Sequence, residues 1–156
     1  MSHGFEHHDH AACIADAVAR AEARCRSEGL QFTPVRRRTL EILLEGHRAM
    51  GAYDVLDVLR GEGFGAQPPV AYRALDFLVS NGFAHRIERL NAFVACSLPG
   101  EDHAPAFLIC RGCETVAETG AESRAIDRRA KEAGFRVERS VVELEGLCPE
   151  CQEAGA

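Results

Sequence analysis

Apolar positions recur at helical spacing through the first half of the chain. Ala12–Ser27 is alanine-rich with interspersed arginine and glutamate, and reads as a helix ended by Gly29. A second helix opens at Thr33-Pro34, because threonine caps the first turn and proline's missing N–H costs nothing at the first helical position. Its apolar stripe is Val35, Thr39, Ile42 and Leu43. Ala52–Arg60 is a third helix with Val55, Leu56 and Leu59 inward, broken by Gly61, Gly63 and Gly65. Pro68-Pro69 opens a fourth, which runs to Ser80 with Ala71, Ala74, Leu75 and Leu78 as its buried stripe. Tyr72, Arg73 and Asp76 are left facing out near its N-terminal end.

The period then changes from 3.6 to 2. Phe83–Arg89 and Phe93–Cys96 read as two short strands around a Leu90-Asn91-Ala92 turn. Ser97–Pro105, rich in proline, glycine and charge, reads as a linker. Beyond it come a strand at Phe107–Ile109, a strand at Thr115–Glu118, a helix at Glu122–Ala133 and a strand at Phe135–Glu145. Helices followed by a hairpin make a winged helix-turn-helix. The chain is therefore expected to be α+β, with a winged-helix DNA-binding domain over residues 12–96, a hinge linker over 97–105 and a small α/β domain over 106–156. Residues 1–11, with His3, His7, His8 and His10, are expected to form a disordered histidine-rich tail.

Two Cys-x-x-Cys turns frame the second domain. Cys110-Arg-Gly-Cys113 and Cys148-Pro-Glu-Cys151 are separated by 34 residues, so a shared metal would staple a whole substructure. Four thiolates suit zinc, which is redox-inert and takes a tetrahedron. Gly112 is expected to relax the backbone of the first turn and Pro149 to preform the second. The plainer readings are a dithiol redox pair or free buried cysteines. A four-cysteine zinc site is closed to water and substrate, which points to architecture and away from catalysis.

Composition bounds the rest. A hydrophobic share of 46% supports packed cores. No apolar run approaches a membrane span, and the start of the chain lacks a basic stretch followed by an apolar one, so a cytoplasmic protein is expected. Seven cysteines in such a chain suggest reduced thiols and metal ahead of disulfides. The net charge of −6 argues against nucleic acid until it is divided. Residues 1–97 hold 11 basic and 12 acidic side chains, whereas residues 98–156 hold 7 and 12. The first half is nearly neutral and concentrates arginine, so it can present a local basic face.

Two sets of residues carry candidate chemistry beyond the knuckles. Arg36, Arg37 and Arg38 fan around the opening turn of the second helix, where they either meet phosphates or form a solvated, salt-bridged face. Tyr72 and Arg73 sit early on the last helix of the set, where a recognition helix meets base edges; arginine reads guanine bidentately and a tyrosine ring lies on a thymine methyl, whereas on an isolated helix the pair reads as plain surface residues. His85, Cys96, His103 and Glu118 form the second set. They stand on the two arms of the wing, the linker and the strand after the first knuckle, and a His₂-Cys-Glu group is a tetrahedral zinc site biased away from harder ions by its thiolate. Singly they are a wing histidine, a small buried thiol, a loop histidine and a surface carboxylate.

Several motifs agree in order with one family. Thr33-Pro-x-Arg36-Arg, Ala52-Tyr53-Asp54-Val-Leu-Asp57, Pro68-Pro-x-x-Tyr72-Arg73-Ala-Leu-Asp76, Phe83-Ala-His85-Arg-Ile-Glu and the paired knuckles resemble the ferric uptake regulator family, most closely its zinc-responsive branch. The match runs from about Leu30 to Cys151. It implies a homodimeric, metal-activated repressor whose winged-helix domain binds a palindromic double-stranded operator and whose second domain dimerises. It implies two zinc ions per chain. Cys110, Cys113, Cys148 and Cys151 would hold a structural ion, and His85, Cys96, His103 and Glu118 a regulatory one. Tyr53, Tyr72 and Arg73 would face DNA, with Arg36 and Arg37 nearby. Where the iron branch carries His-His-Asp-His before its first knuckle, this chain has Glu101-Asp-His103-Ala-Pro, which favours zinc. Where the family has Thr-Val before the recognition tyrosine, it has Val70-Ala71, which removes one hydroxyl for phosphate.

These features describe a regulator with neither a membrane nor a small-molecule substrate as partner, and not an enzyme. The rivals are an iron- or peroxide-sensing relative, separated by metal dependence of DNA binding; a zinc hydrolase, which needs an open coordination position and a base that no motif supplies; and a zinc-stabilised interaction module without DNA.

Overall fold

The computed structural model describes residues 10–46, 48–97, 104–120 and 124–155. It comprises two compact units that divide between Pro99 and Gly100. Among the described residues no helix is long and apolar enough to cross a membrane.

The first unit opens with α1 (His10–Glu28), so His10 and Ala11 belong to a helix and not to a tail. Gly29, at φ +70°, ends it; the Leu30 N–H turns back to the Cys25 carbonyl at 2.8 Å. In α2 (Pro34–Glu45) the Thr33 hydroxyl accepts from the Arg36 N–H at 3.3 Å. Next are α3 (Ala52–Gly61), whose N-cap Gly51 donates its N–H to the Asp54 carboxylate at 3.0 Å, and α4 (Pro68–Ser80). Val55, Leu56, Leu59, Leu75 and Leu78 are fully buried, with Val18, Cys25, Leu40 and Ile42 in the same core. Truncating one of those leucines to alanine costs about 2–5 kcal/mol, so this core fixes how α3 and α4 present their opposite faces.

The wing is the antiparallel pair β1 (Ala84–Ile87) and β2 (Ala92–Ala95), in the register His85 opposite Val94. Asn91, at φ 47°, makes the turn, one residue earlier than expected for the strand that follows. The wing has a further member. Met50 exchanges both backbone hydrogen bonds with Phe93, at 2.9 and 2.8 Å, so the segment before α3 lies beside β2.

In the second unit β3 (Pro105–Cys110) is central, antiparallel to β4 (Val116–Gly120) and parallel to β5 (Val142–Gly146). The crossover includes α5 (Arg124–Glu132), and a short α6 (Pro149–Glu153) closes the unit. Two expectations need correction. The long strand Phe135–Glu145 is a strand only from Val142 onward, because β3 begins at Pro105, which has no N–H to extend the ladder past Ala106. Helix α6 was not foreseen; Cys148 is its N-cap and Pro149 its first residue.

Candidate metal centre and nucleic-acid interface

Parallel pairing builds the metal centre. Cys110 is the last residue of β3 and stands opposite Gly146, the last of β5. Both strands therefore finish at the same edge, and Cys148 arrives two residues later beside Cys110. Its backbone N–H donates to the Cys110 sulfur at 3.3 Å. After β3 the chain bends through Cys113, with the Glu114 N–H on the Cys110 carbonyl at 2.9 Å and Glu114 itself at φ 62°.

The four sulfurs all lie within 4.8 Å of one another, and those of Cys113 and Cys148 are 3.7 Å apart. A tetrahedron with Zn–S bonds of ~2.3 Å has sulfur–sulfur edges of ~3.8 Å, so the cage fits zinc. Gly112 explains itself by proximity: a Cβ there would stand 2.9 Å from the Cys151 sulfur. The glycine makes room for the second knuckle, and its φ is unexceptional.

Electrostatics agree. The Cys148 N–H, then that of Cys113, pulls the Cys110 thiol down to about 6. The Thr115 hydroxyl, 3.1 Å from the Cys113 sulfur, lowers that thiol too. Cys151 is pushed up to about 12, first by the Cys148 sulfur and then by that of Cys110. Cys148 is raised as well, the Cys151 N–H that favours its thiolate being outweighed by burial and by Cys110. Four thiolates cannot crowd this closely on their own, and a divalent cation among them removes the conflict.

Of the second predicted set, His85 and Cys96 belong to the first unit and Glu118 to the second. His85 on β1 and Cys96, just after β2, occupy opposite arms of the wing, with the Cys96 N–H on the Phe83 carbonyl at 2.9 Å. A ring nitrogen of His85 and the Cys96 sulfur lie within 4.8 Å. Glu118 is half-buried on β4 of the second unit, and His103 lies outside the described residues.

On the DNA-facing candidates, Tyr53 and Tyr72 are 63% and 43% exposed and meet edge to face, with ring centroids 6.5 Å apart. The N-terminal halves of α3 and α4 thus share one aromatic surface. Arg73 beside it is exposed and makes no ion pair among the described residues. The arginines of α2 are differently occupied. Arg36 lies over the Phe77 ring at 3.9 Å and donates to the Gln31 carbonyl at 2.5 Å. Arg37 pairs with Glu22 at 3.2 Å and Glu41 at 3.4 Å. Arg38 is clamped by Glu62, Glu45 and Glu41 at 2.7, 2.7 and 3.1 Å, which holds its pKa far above the ordinary value. The Glu41 partners follow from helical spacing, i+4 from Arg37 and i+3 from Arg38, as the salt-bridged reading had it; Glu22, Glu62 and Phe77 come from other elements.

No family model matches the chain. It is 38% identical over 144 residues to the zinc uptake regulation protein of Escherichia coli K12, covering 90% of this chain and 84% of that protein. A solved zinc uptake regulator complexed with zinc and DNA superposes with a TM-score of 0.87 at 36% identity, covering 91% of this chain and 97% of that one. The holo form of XcZur gives a TM-score of 0.79 at 38% identity, covering 89% and 97%.

Proposed function

This chain belongs to the zinc uptake regulators, the zinc-responsive branch of the ferric uptake regulator family, and from that we propose that it is a transcriptional repressor of zinc-uptake genes. It binds operator DNA as a homodimer when its regulatory zinc site is filled. The observation that carries this reading is the shared aromatic surface of Tyr53 and Tyr72 with the exposed Arg73 beside it, on the helix before the wing. Arg73 contacts a base edge, while the two tyrosines contact base methyls and sugars. Arg37 joins the phosphate contacts at little cost, since its exposed glutamate pairs are each worth under about 1 kcal/mol. Arg36 stays against Phe77 and orients the start of α2.

Two zinc ions per chain are part of the proposal. Cys110, Cys113, Cys148 and Cys151 hold the permanent one, which leaves no open position and no catalytic role. His85, Cys96, His103 and Glu118 hold the reversible one. Zinc supplies a tetrahedral cross-link there. Wing donors joined to linker and second-unit donors restrict the angle of the reading heads on the dimer. The shift toward the DNA-competent arrangement is limited to the difference in zinc affinity between it and the open ones. Ile126, Phe135 and Leu144, apolar yet exposed on the second unit, and the outer edge of β5 support a dimer there. The site of action is the cytoplasm.

The test is Cys96→Ser in a gel shift with a duplex that the zinc-loaded wild type selects from a random pool. The variant is expected to stay a folded dimer and to lose zinc-dependent binding. Unchanged zinc dependence would refute the clamp.

A further inference from the structure

The first unit carries nearly balanced charge, so the cations that matter for DNA are those left unneutralised. Arg20, Arg24, Arg37, Arg38 and Arg86 each meet a carboxylate. Arg60 donates to the Ala66 carbonyl at 3.0 Å. Exposed and without an ion pair among the described residues are Arg26, Arg48, Arg60 and Arg73. Arg73 already belongs to the recognition helix. Arg48 has no assigned role.

Its position is distinctive. The backbone exchange between Met50 and Phe93, an isolated bridge, brings the segment carrying Arg48 to the edge of β2. The same segment leads directly into Gly51, the N-cap of α3, and then Tyr53. From Arg48 to Tyr53 the chain spans at most ~17 Å even if fully extended. Tyr53 in turn packs on Tyr72, next to Arg73. A helix seated in a major groove ~12 Å wide has a phosphate backbone on either side. We infer that Arg48 contacts the operator backbone from the wing, a phosphate contact that adds affinity without sequence preference. The inference rests on the regulator reading above.

The test measures fluorescence anisotropy of the zinc-loaded dimer on its selected duplex between 50 and 200 mM salt. Arg48→Gln is expected to flatten the log Kd against log salt plot by ~0.9 per protomer. The variant-to-wild-type Kd ratio then falls about threefold per lost contact over that range. Arg48→Lys keeps the wild-type slope, which separates charge from a folding defect. Arg128→Gln, removing an exposed charge on α5, also keeps it. Base preference in a selection with Arg48→Gln is unchanged. A wild-type slope for Arg48→Gln, or an equal change for Arg128→Gln, overturns this inference alone. A wild type that selects no duplex overturns the regulator reading and this inference with it.

Discussion

The sulfurs of Cys113 and Cys148 stand 3.7 Å apart although 34 residues lie between them. Parallel β3 and β5 end at one edge, and the knuckles tie those ends together. The intervening helix and strands are thereby closed into one loop. Cys148→Ser should release the tightly held zinc and destabilise the second unit by about 4 kcal/mol or more, the scale of losing a structural metal. Metal analysis and urea unfolding check this. A variant with a full zinc complement and an unchanged midpoint contradicts it.

Acid should act through the same site. In the metal-free chain Cys110 titrates at about 6, below the ordinary 9.0, because backbone N–H groups favour its thiolate. A depressed pKa stabilises the fold above pH 9, and that contribution disappears as pH falls through 6. Cys151, raised to about 12, works in the opposite sense: its contribution is complete below pH 9 and is lost as pH rises through 12. Zinc binding must displace whatever protons the thiols hold. The protons released per ion should therefore increase by nearly one when pH drops from 7 to 5, as Cys110 joins the protonated set. Proton release in weakly buffered titrations reads this directly, and equal release at both values counts against it.

Gly112→Ala is a milder probe of the cage. The added methyl meets the Cys151 sulfur at 2.9 Å, too close for real atoms, so the second knuckle must shift. Zinc affinity is expected to fall on the order of 10- to 100-fold, the range seen when the support of a metal ligand is disturbed. Competition with a chelator measures it; an unaltered affinity means the knuckle has slack.

Much of this architecture was legible along the chain. Helices α2, α3 and α4 start at Pro34, Ala52 and Pro68, where the Thr33-Pro34 cap, the apolar spacing from Ala52 and the Pro68-Pro69 pair put them, because capping and apolar spacing are local. The knuckles were legible because sulfur spacing is itself the signal, and hairpin register then brings His85 near Cys96. What was hidden depends on partners distant in sequence. Phe135–Val141 alternates like a strand but meets no ladder beyond the proline that begins β3. The Met50–Phe93 exchange is a single residue pair without a pattern. Arg36 looked like a phosphate ligand, and its ring partner, Phe77, lies 41 positions away.

Two arginines should separate recognition from folding. Arg73→Ala is expected to weaken operator binding by about 1–3 kcal/mol and to relax preference at one base position, leaving thermal stability intact. Arg38→Gln, which breaks the bidentate pair with Glu62, should cost about 1 kcal/mol of stability and leave sequence preference alone. Binding selections and thermal melts on both variants check the contrast. Exchanged phenotypes would reverse the roles.

The most direct measurement is zinc per chain, followed together with duplex binding during graded chelation. Two unlike sites predict two ions, of which one leaves early and takes DNA binding with it while the dimer stays folded. One firmly held ion, with duplex affinity the same in zinc-depleted buffer, contradicts zinc-gated repression.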